Sequence, residues 1–202
     1  MSESFQLEKV AEANFPTEFG QFRIHGFEAR DADGVEEAVA LVMGDPSSPE
    51  PLLVRIHSQC LTGDVFHSLR CDCRGQLELS LRKIAREGRG MIIYEMQEGR
   101  GIGLMNKLRA YELQDAGADT VEANENLGFE ADLRDYDLPA RILKHFGVRR
   151  VRLLSNNPDK VNALERAGVE VSERLPCVEI RGDDSGDYLR VKKEKMGHLL
   201  EL

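Results

Sequence analysis

The chain has 202 residues, of which 41% are hydrophobic and 31% charged, and its formal net charge is −9. That length suits one domain able to bury a core without disulfides, and the charge argues against a general nucleic-acid binder, which needs a basic face. No apolar run approaches the about 18 residues needed to span a membrane, and Met1-Ser2-Glu3-Ser4-Phe5 lacks the basic start and apolar core of a signal peptide, so a cytoplasmic protein without membrane contact is expected.

Residues 5–56 hold several strand-like runs. Phe22–Phe27, Glu37–Val42 and Leu52–Ile56 are separated by turn-rich stretches such as Gly44-Asp45-Pro46-Ser47-Ser48-Pro49, and read as antiparallel sheet. From Gln76 to Glu87, residues Leu77, Leu81, Ile84 and Ala85 share one helical face. Met91–Tyr94 then reads as a buried strand, followed by the glycine-rich loop Gln97–Gly103. Leu104, Leu108 and Tyr111 mark a second helix closed by Gly117, and Asp137–Phe146 a third. Val151–Leu154 and Val169–Val171 read as strands on either side of a helix that starts at Asn156-Asn157-Pro158. The expected class is α/β: a mixed sheet with an antiparallel N-terminal part and helices packed on a partly parallel C-terminal part. One domain over residues 1–202 is expected, with room for a disordered tail from about 175, in which Tyr188–Leu200 reads as a basic helix or a partly ordered end.

The charge is uneven. Between Arg55 and Arg109 there are ten Lys or Arg and six Asp or Glu, which suits either an anion site or an ordinary surface mix. Three of the four cysteines, Cys60, Cys71 and Cys73, fall within fourteen residues, and Cys177 stands apart. Thiolates favour zinc, and three protein ligands leave a tetrahedral position open for chemistry. The spacing also allows a structural zinc completed by His57 or His67, or plain free thiols. Gln97-Glu98-Gly99-Arg100-Gly101-Ile102-Gly103 lies between a strand and a helix. Its glycines allow close backbone approach, and Arg100 offers a fork suited to phosphate, although a flexible turn has the same letters. Asp132-Leu133-Arg134 pairs a carboxylate with an anion clamp or forms a surface ion pair. Ser155-Asn156-Asn157-Pro158 is a helix cap or a ligand contact at a strand's end.

Taken together, Arg55–Asp64, Ser68–Cys73, Gln97–Leu104, Asp119–Asn124, Ser155–Pro158 and Glu194–Leu199 resemble GTP cyclohydrolase II, in family order and over nearly the whole chain. The resemblance implies a homodimer that binds zinc, one ion per chain, and magnesium. It implies opening of the GTP imidazole ring at C8, with release of formate and pyrophosphate and formation of 2,5-diamino-6-(5-phosphoribosylamino)pyrimidin-4-one in riboflavin biosynthesis. It assigns Cys60, Cys71 and Cys73 to zinc. It assigns Arg55, Ile56, His57, Ser58, Gln59, Gln76, Glu98, Gly99, Arg100, Thr120, Ser155 and Lys160 to GTP. Asp132 matches the family's proton acceptor, Arg134 its nucleophile toward phosphorus, and Tyr111 an aromatic near the reacting ring. A guanidinium with a pKa above about 12 makes an awkward nucleophile, so stabilisation of transition-state charge is the alternative role for Arg134.

The chain departs from the family at three places. Gln59 stands where Glu is usual, Arg74-Gly75 reverses the usual order after the third cysteine, and Ser155 replaces Thr while keeping the hydroxyl. Many relatives carry a dihydroxybutanone phosphate synthase domain in front, and this length leaves no room for one. Two other readings stay open: a paralogue that stops at the formamide or takes another purine nucleotide, and a zinc-stabilised GTP-binding protein without activity.

Overall fold

The computed structural model describes residues 6–30, 34–119, 122–123, 126–129 and 132–178. Thr120 and the expected tail beyond 178, with Glu194–Leu199, lie outside the described residues. Seven strands form one sheet: β1 Gln6–Thr17, β2 Gly20–Arg30, β3 Val35–Met43, β4 Leu52–Ser58, β5 Gly90–Glu95, β6 Arg150–Leu154 and β7 Glu170–Leu175, in the order β1-β2-β3-β5-β4-β6-β7. The pairs β1/β2, β2/β3 and β3/β5 are antiparallel. The pairs β5/β4, β4/β6 and β6/β7 are parallel. The mixed sheet expected from the sequence is therefore present, with one shift of boundary.

That shift concerns β4, which the sequence groups with the antiparallel strands. Every residue from Leu52 to His57 is buried, so the strand is covered on both faces. Parallel neighbours carry helical crossovers on both faces, and a continuous apolar run rather than alternation is their signature. β1 was not legible as a strand because most of its side chains are exposed. It is an edge strand, the position in which Pro16 costs no ladder bond.

Helices cover both faces. α2, Cys73–Glu87, lays Leu81 and Ile84 on a cluster with Phe22, Leu53, Ile92 and Leu154. On the other face α4, Asp137–His145, and α5, Pro158–Arg166, pack Leu138, Ile142, Leu143 and Leu164 on Val54, Ile56, Ile93 and Leu153. Gly88 closes α2 at φ 71°, a left-handed geometry that a Cβ would strain. Asn157 caps α5 by accepting from the Asp159 amide at 2.8 Å, with Pro158 in the first turn. α1, Leu61–Asp64, is a single turn after β4. α3, Gly103–Asp115, exposes Met105 and Leu108 and buries only Ala110 fully. No described helix is long and apolar enough to cross a membrane.

Candidate active site

The carboxyl ends of β4, β5 and β6 open on one pocket, where parallel sheets commonly hold ligands. β4 supplies Arg55, His57, Ser58 and the following Gln59 and Cys60; the loop after β5 supplies Glu98, Gly99 and Arg100; the end of β6 supplies Ser155, Asn156 and Asn157. Cys71, Cys73 and Gln76 enter from the start of α2, and Lys107, Ala110 and Tyr111 from α3. Arg70, Arg134 and Lys160 complete the cationic part of the wall.

The three sulfurs of Cys60, Cys71 and Cys73 lie within 4.8 Å of one another, and Cys60 Sγ is 3.6 Å from Cys71 Sγ. Tetrahedral zinc with bonds of about 2.3 Å spaces its thiolates by roughly 3.8 Å, so the cluster fits one such ion. Gly63 makes the convergence possible. A Cβ there would sit 2.7 Å from Cys71 Sγ and 3.1 Å from Cys60 Sγ. Hydrogen bonds from Cys71 and Cys73 pull the Cys60 thiol far down, and Lys107 adds to this. The bond to Cys60 pushes Cys71 up to about 11 and Cys73 well above the usual thiol range. A thiolate is thus favoured at Cys60 over Cys71 and Cys73, and a metal held by all three would release their protons.

Cys60 is set in place by Asp64. The Asp64 carboxylate accepts from the Cys60 amide at 3.1 Å and from the Tyr94 hydroxyl at 2.9 Å, and lies 3.1 Å from His57 Nε2. Burial pushes His57 below its ordinary value, so the ring is neutral and gives its Nε2 proton to Asp64. Its buried Nδ1 has no partner among the described residues.

The same pocket also has a cationic wall. Arg55 donates to the Leu154 carbonyl at 2.9 Å and to Gln76 Oε1 at 2.5 Å, and Lys160 Nζ donates to the Ile56 carbonyl at 2.9 Å. Both side chains are buried, and Arg55 Nε and Arg100 Nη1 have no hydrogen-bond partner among the described residues. Arg100 is held at φ 61°, a costly conformation for a residue with a side chain. Burial, with Arg55 and Arg134 nearby, depresses Lys160 well below its ordinary value. Such a wall suits an anionic ligand.

Arg134 and Asp132 form a two-point ion pair, with Arg134 Nε on Asp132 Oδ1 at 2.8 Å and Nη2 on Oδ2. Burial alone would raise Asp132, but the bond and charge of Arg134 outweigh it and hold the carboxyl below its usual range. Burial opposes the charge of Arg134 too, yet Asp132 holds its proton more firmly than usual. Arg134 Nη1 reaches Ser58 Oγ at 3.4 Å, and Ser58 donates to Glu95 at 3.3 Å. The Tyr111 hydroxyl is 3.3 Å from Thr62 Oγ1, and the Arg70 guanidinium sits 4.9 Å over its ring.

The pocket thus brings together every residue assigned by the family likeness except three, while His67, the other histidine offered to the metal, stands outside it beside Arg74. Thr120 is outside the described residues. Ile56 puts its side chain in the core and offers the site only a carbonyl, which Lys160 uses. Asp132 stands behind Arg134 rather than in the wall. Sequence reasoning did not single out Gly63, Asp64, Tyr94, Glu95 or Lys107. Gly63 and Asp64 sit in the same local block as Cys60, so their nearness was the available signal. Glu95 and Lys107 depend on contacts across 37 and 47 residues and left none.

Comparison with known proteins places this geometry. Residues 8–176 match the GTP cyclohydrolase II family. The chain is 56% identical over 195 residues to GTP cyclohydrolase-2 of Escherichia coli (strain SMS-3-5 / SECEC), covering 96% of this chain and 98% of that one. It is 54% identical over 190 residues to GTP cyclohydrolase-2 of Saccharophagus degradans, covering 94% of each. It is 52% identical over 200 residues to riboflavin biosynthesis protein RibBA of Chlorobium phaeovibrioides, covering 99% of this chain and spanning only 48% of that relative's length. The chain belongs to the GTP cyclohydrolase II family of enzymes.

Proposed function

We propose that the chain hydrolyses GTP at C8 of guanine, releases formate and pyrophosphate, and forms the diaminopyrimidine phosphoribosyl product that starts riboflavin biosynthesis. The observation that carries this reading is the pairing, in one pocket, of three converging thiols with a buried cationic wall. The first fits a metal for the ring, the second a triphosphate.

Cys60, Cys71 and Cys73 hold the zinc. Zinc held by three protein ligands supplies a Lewis acid with an open position, which brings a water's pKa toward about 7. Ring opening at C8 gives a formamide, and a second hydrolysis frees formate. Tyr111, beside the sulfurs, packs near the purine. Arg55, Arg100 and Lys160 take the triphosphate, and the free donors of Arg55 and Arg100 are satisfied by its oxygens. Magnesium would be held mainly by the oxygens of the triphosphate itself. GTP is also contacted by the 55–59 strand end, Gln76, Glu98, Gly99, Thr120 and Ser155.

Arg134 acts as a charge clamp on the α-phosphoryl group. Its Nε and Nη2 donate to Asp132 and its Nη1 to Ser58, and it keeps its proton firmly. A protonated guanidinium has no free pair for phosphorus and is suited to stabilising oxyanion charge. Asp132 fixes that clamp, and its lowered affinity for protons suits orientation better than proton abstraction. The family likeness further leads us to propose a homodimer in the cytoplasm, with residues 1–202 forming one GTP cyclohydrolase II domain.

Mass analysis of products tests the reading. GTP with zinc and magnesium should give one formate and one pyrophosphate per pyrimidine product. Accumulation of a formamide with no formate would instead identify a shortened reaction. Protein stripped of zinc but still folded should release some pyrophosphate and no formate, because ring and phosphorus use different groups.

A further inference from the structure

Lys107 is a largely enclosed cation that none of these roles uses. It lies on α3 one turn before Tyr111, and its ammonium donates to Cys60 Sγ at 3.1 Å and to Glu98 Oε1 at 2.8 Å. The ion pair with Glu98 is largely closed to solvent, with side-chain exposures of 12% for Lys107 and 7% for Glu98. Glu98 is itself fixed, since its carboxylate also accepts from the Leu61 amide at 2.7 Å and the Gly99 amide at 2.9 Å. The ammonium is therefore pinned against one sulfur rather than free to follow a ligand.

The backbone is shaped to permit this approach. Gly99 has φ 62°, and a Cβ there would meet Lys107 Cβ at 3.2 Å. The loop after β5 thus closes onto α3 because position 99 has no side chain. Leu61, which Glu98 holds, directly follows Cys60. Glu98 and Lys107 consequently grip the first cysteine from its backbone side and its sulfur side.

Charge gives the contact a purpose. Three thiolates around a divalent cation leave one net negative charge in a partly buried site, which is costly unless compensated. A hydrogen bond from an ammonium to a thiolate is charge-assisted and about twice as strong as a neutral one. It also draws electron density from the sulfur, so the sulfur would donate less to a bound metal and leave it a better Lewis acid. Partners of this kind typically change metal affinity by about 10–100-fold.

We propose that Lys107 is a positioning residue of the metal centre: it neutralises the excess charge of a three-thiolate zinc site through Cys60, and Glu98 holds it there. The inference rests on the zinc reading above. Its measurable consequences are metal affinity and the electronic structure of the sulfur–metal bond, neither of which requires turnover.

The test uses the full chain as wild type, Lys107→Met and Lys107→Arg, with folding followed by thermal unfolding. Zinc affinity is measured by competition with a chromophoric chelator, and cobalt(II) is substituted to read the thiolate-to-metal charge-transfer band. The expected result is one zinc per wild-type chain and an about 10–100-fold weaker affinity in Lys107→Met. Lys107→Arg should recover most of the loss, and the cobalt band of Lys107→Met should move to lower energy as its sulfur loses a donor. Unchanged affinity with an unmoved band in folded Lys107→Met would overturn the role of Lys107 and leave the zinc reading standing. A wild-type chain that takes up neither zinc nor cobalt would overturn both. Should Lys107→Met unfold, the proposal still fails if Lys107→Arg and Lys107→Gln bind zinc equally well.

Discussion

Asp132 and Glu95 are two carboxylates on either side of Arg134, and their surroundings set them to different tasks. Asp132 shares both oxygens with the guanidinium. In Asp132→Asn zinc content and KM for GTP should hold, while kcat falls by about 10²-fold or more as the clamp loses its orientation. A lower melting temperature with near-normal turnover of the folded fraction would make Asp132 merely structural. Glu95 is fully buried behind Ser58, and burial pushes its carboxyl from the ordinary 4.5 up to about 7, against the pull of Lys160 and Arg134. Between about pH 4.5 and 7 the folded chain keeps a proton there that the unfolded chain has lost, so stability falls as pH rises through that window. Glu95→Gln removes the loss. Its gain in stability over wild type should be small at pH 4.5, grow toward pH 7 to on the order of 3 kcal/mol, and level off above. Melting curves of the two proteins at pH 5 and 8 check this, and an equal difference at both would contradict it. The cysteines were legible because their ligand set is short-range and chemically narrow. Glu95 was not, because one acidic letter at a strand's end looks the same whether it faces water or two buried cations.

At the scale of elements, the segment that carries Asp132 and Arg134 has no regular structure and is held from outside. Gln97 donates to the Asp135 carbonyl at 2.8 Å and accepts from the Asp135 amide at 3.1 Å, while the Leu133 amide donates to the Arg100 carbonyl at 3.1 Å. The glycine-rich loop is thus a brace for the ion pair as well as a wall for anions. Gly101 is where the two backbones touch: it has φ 92°, and a Cβ would lie 3.0 Å from Leu133 Cβ and 3.3 Å from its carbonyl group. Gly101→Ala should therefore shift residues 132–134 and lower kcat by about 10-fold or more, because a displacement of about 1 Å costs up to 10²-fold. Zinc content should be unchanged, and wild-type kcat in the folded variant would refute the brace. The helices and the loop were legible from periodicity and glycine spacing. The direction of β4 was not, since a buried apolar run gives type and burial but not partners. Nor was the orientation of α3, whose face toward the pocket is formed by Lys107, Ala110 and Tyr111 rather than by an apolar stripe.

At the scale of the molecule, the sheet divides the labour. The antiparallel strands β1–β3 build the frame, and the parallel strands β5, β4 and β6 end side by side at the pocket. This adjacency places the 55–60 strand end next to both the 98–100 loop and the 155–157 cap, although a hundred residues separate the first from the last. The sequence blocks could be read as parts of one site only because together they resemble a family; periodicity alone does not bring them together. The account's central claim is that the cysteine cluster holds the metal that opens the ring. It is tested most directly by assaying zinc content and formate release from GTP in Cys71→Ser beside Cys177→Ser. Cys177 lies away from the cluster, with its sulfur 3.7 Å from the Gln76 carbonyl, so a serine hydroxyl has an acceptor there. Cys71→Ser is expected to lose zinc and formate together, while Cys177→Ser keeps one zinc per chain and releases formate as wild type does. Full zinc content or undiminished formate release in Cys71→Ser would contradict the account.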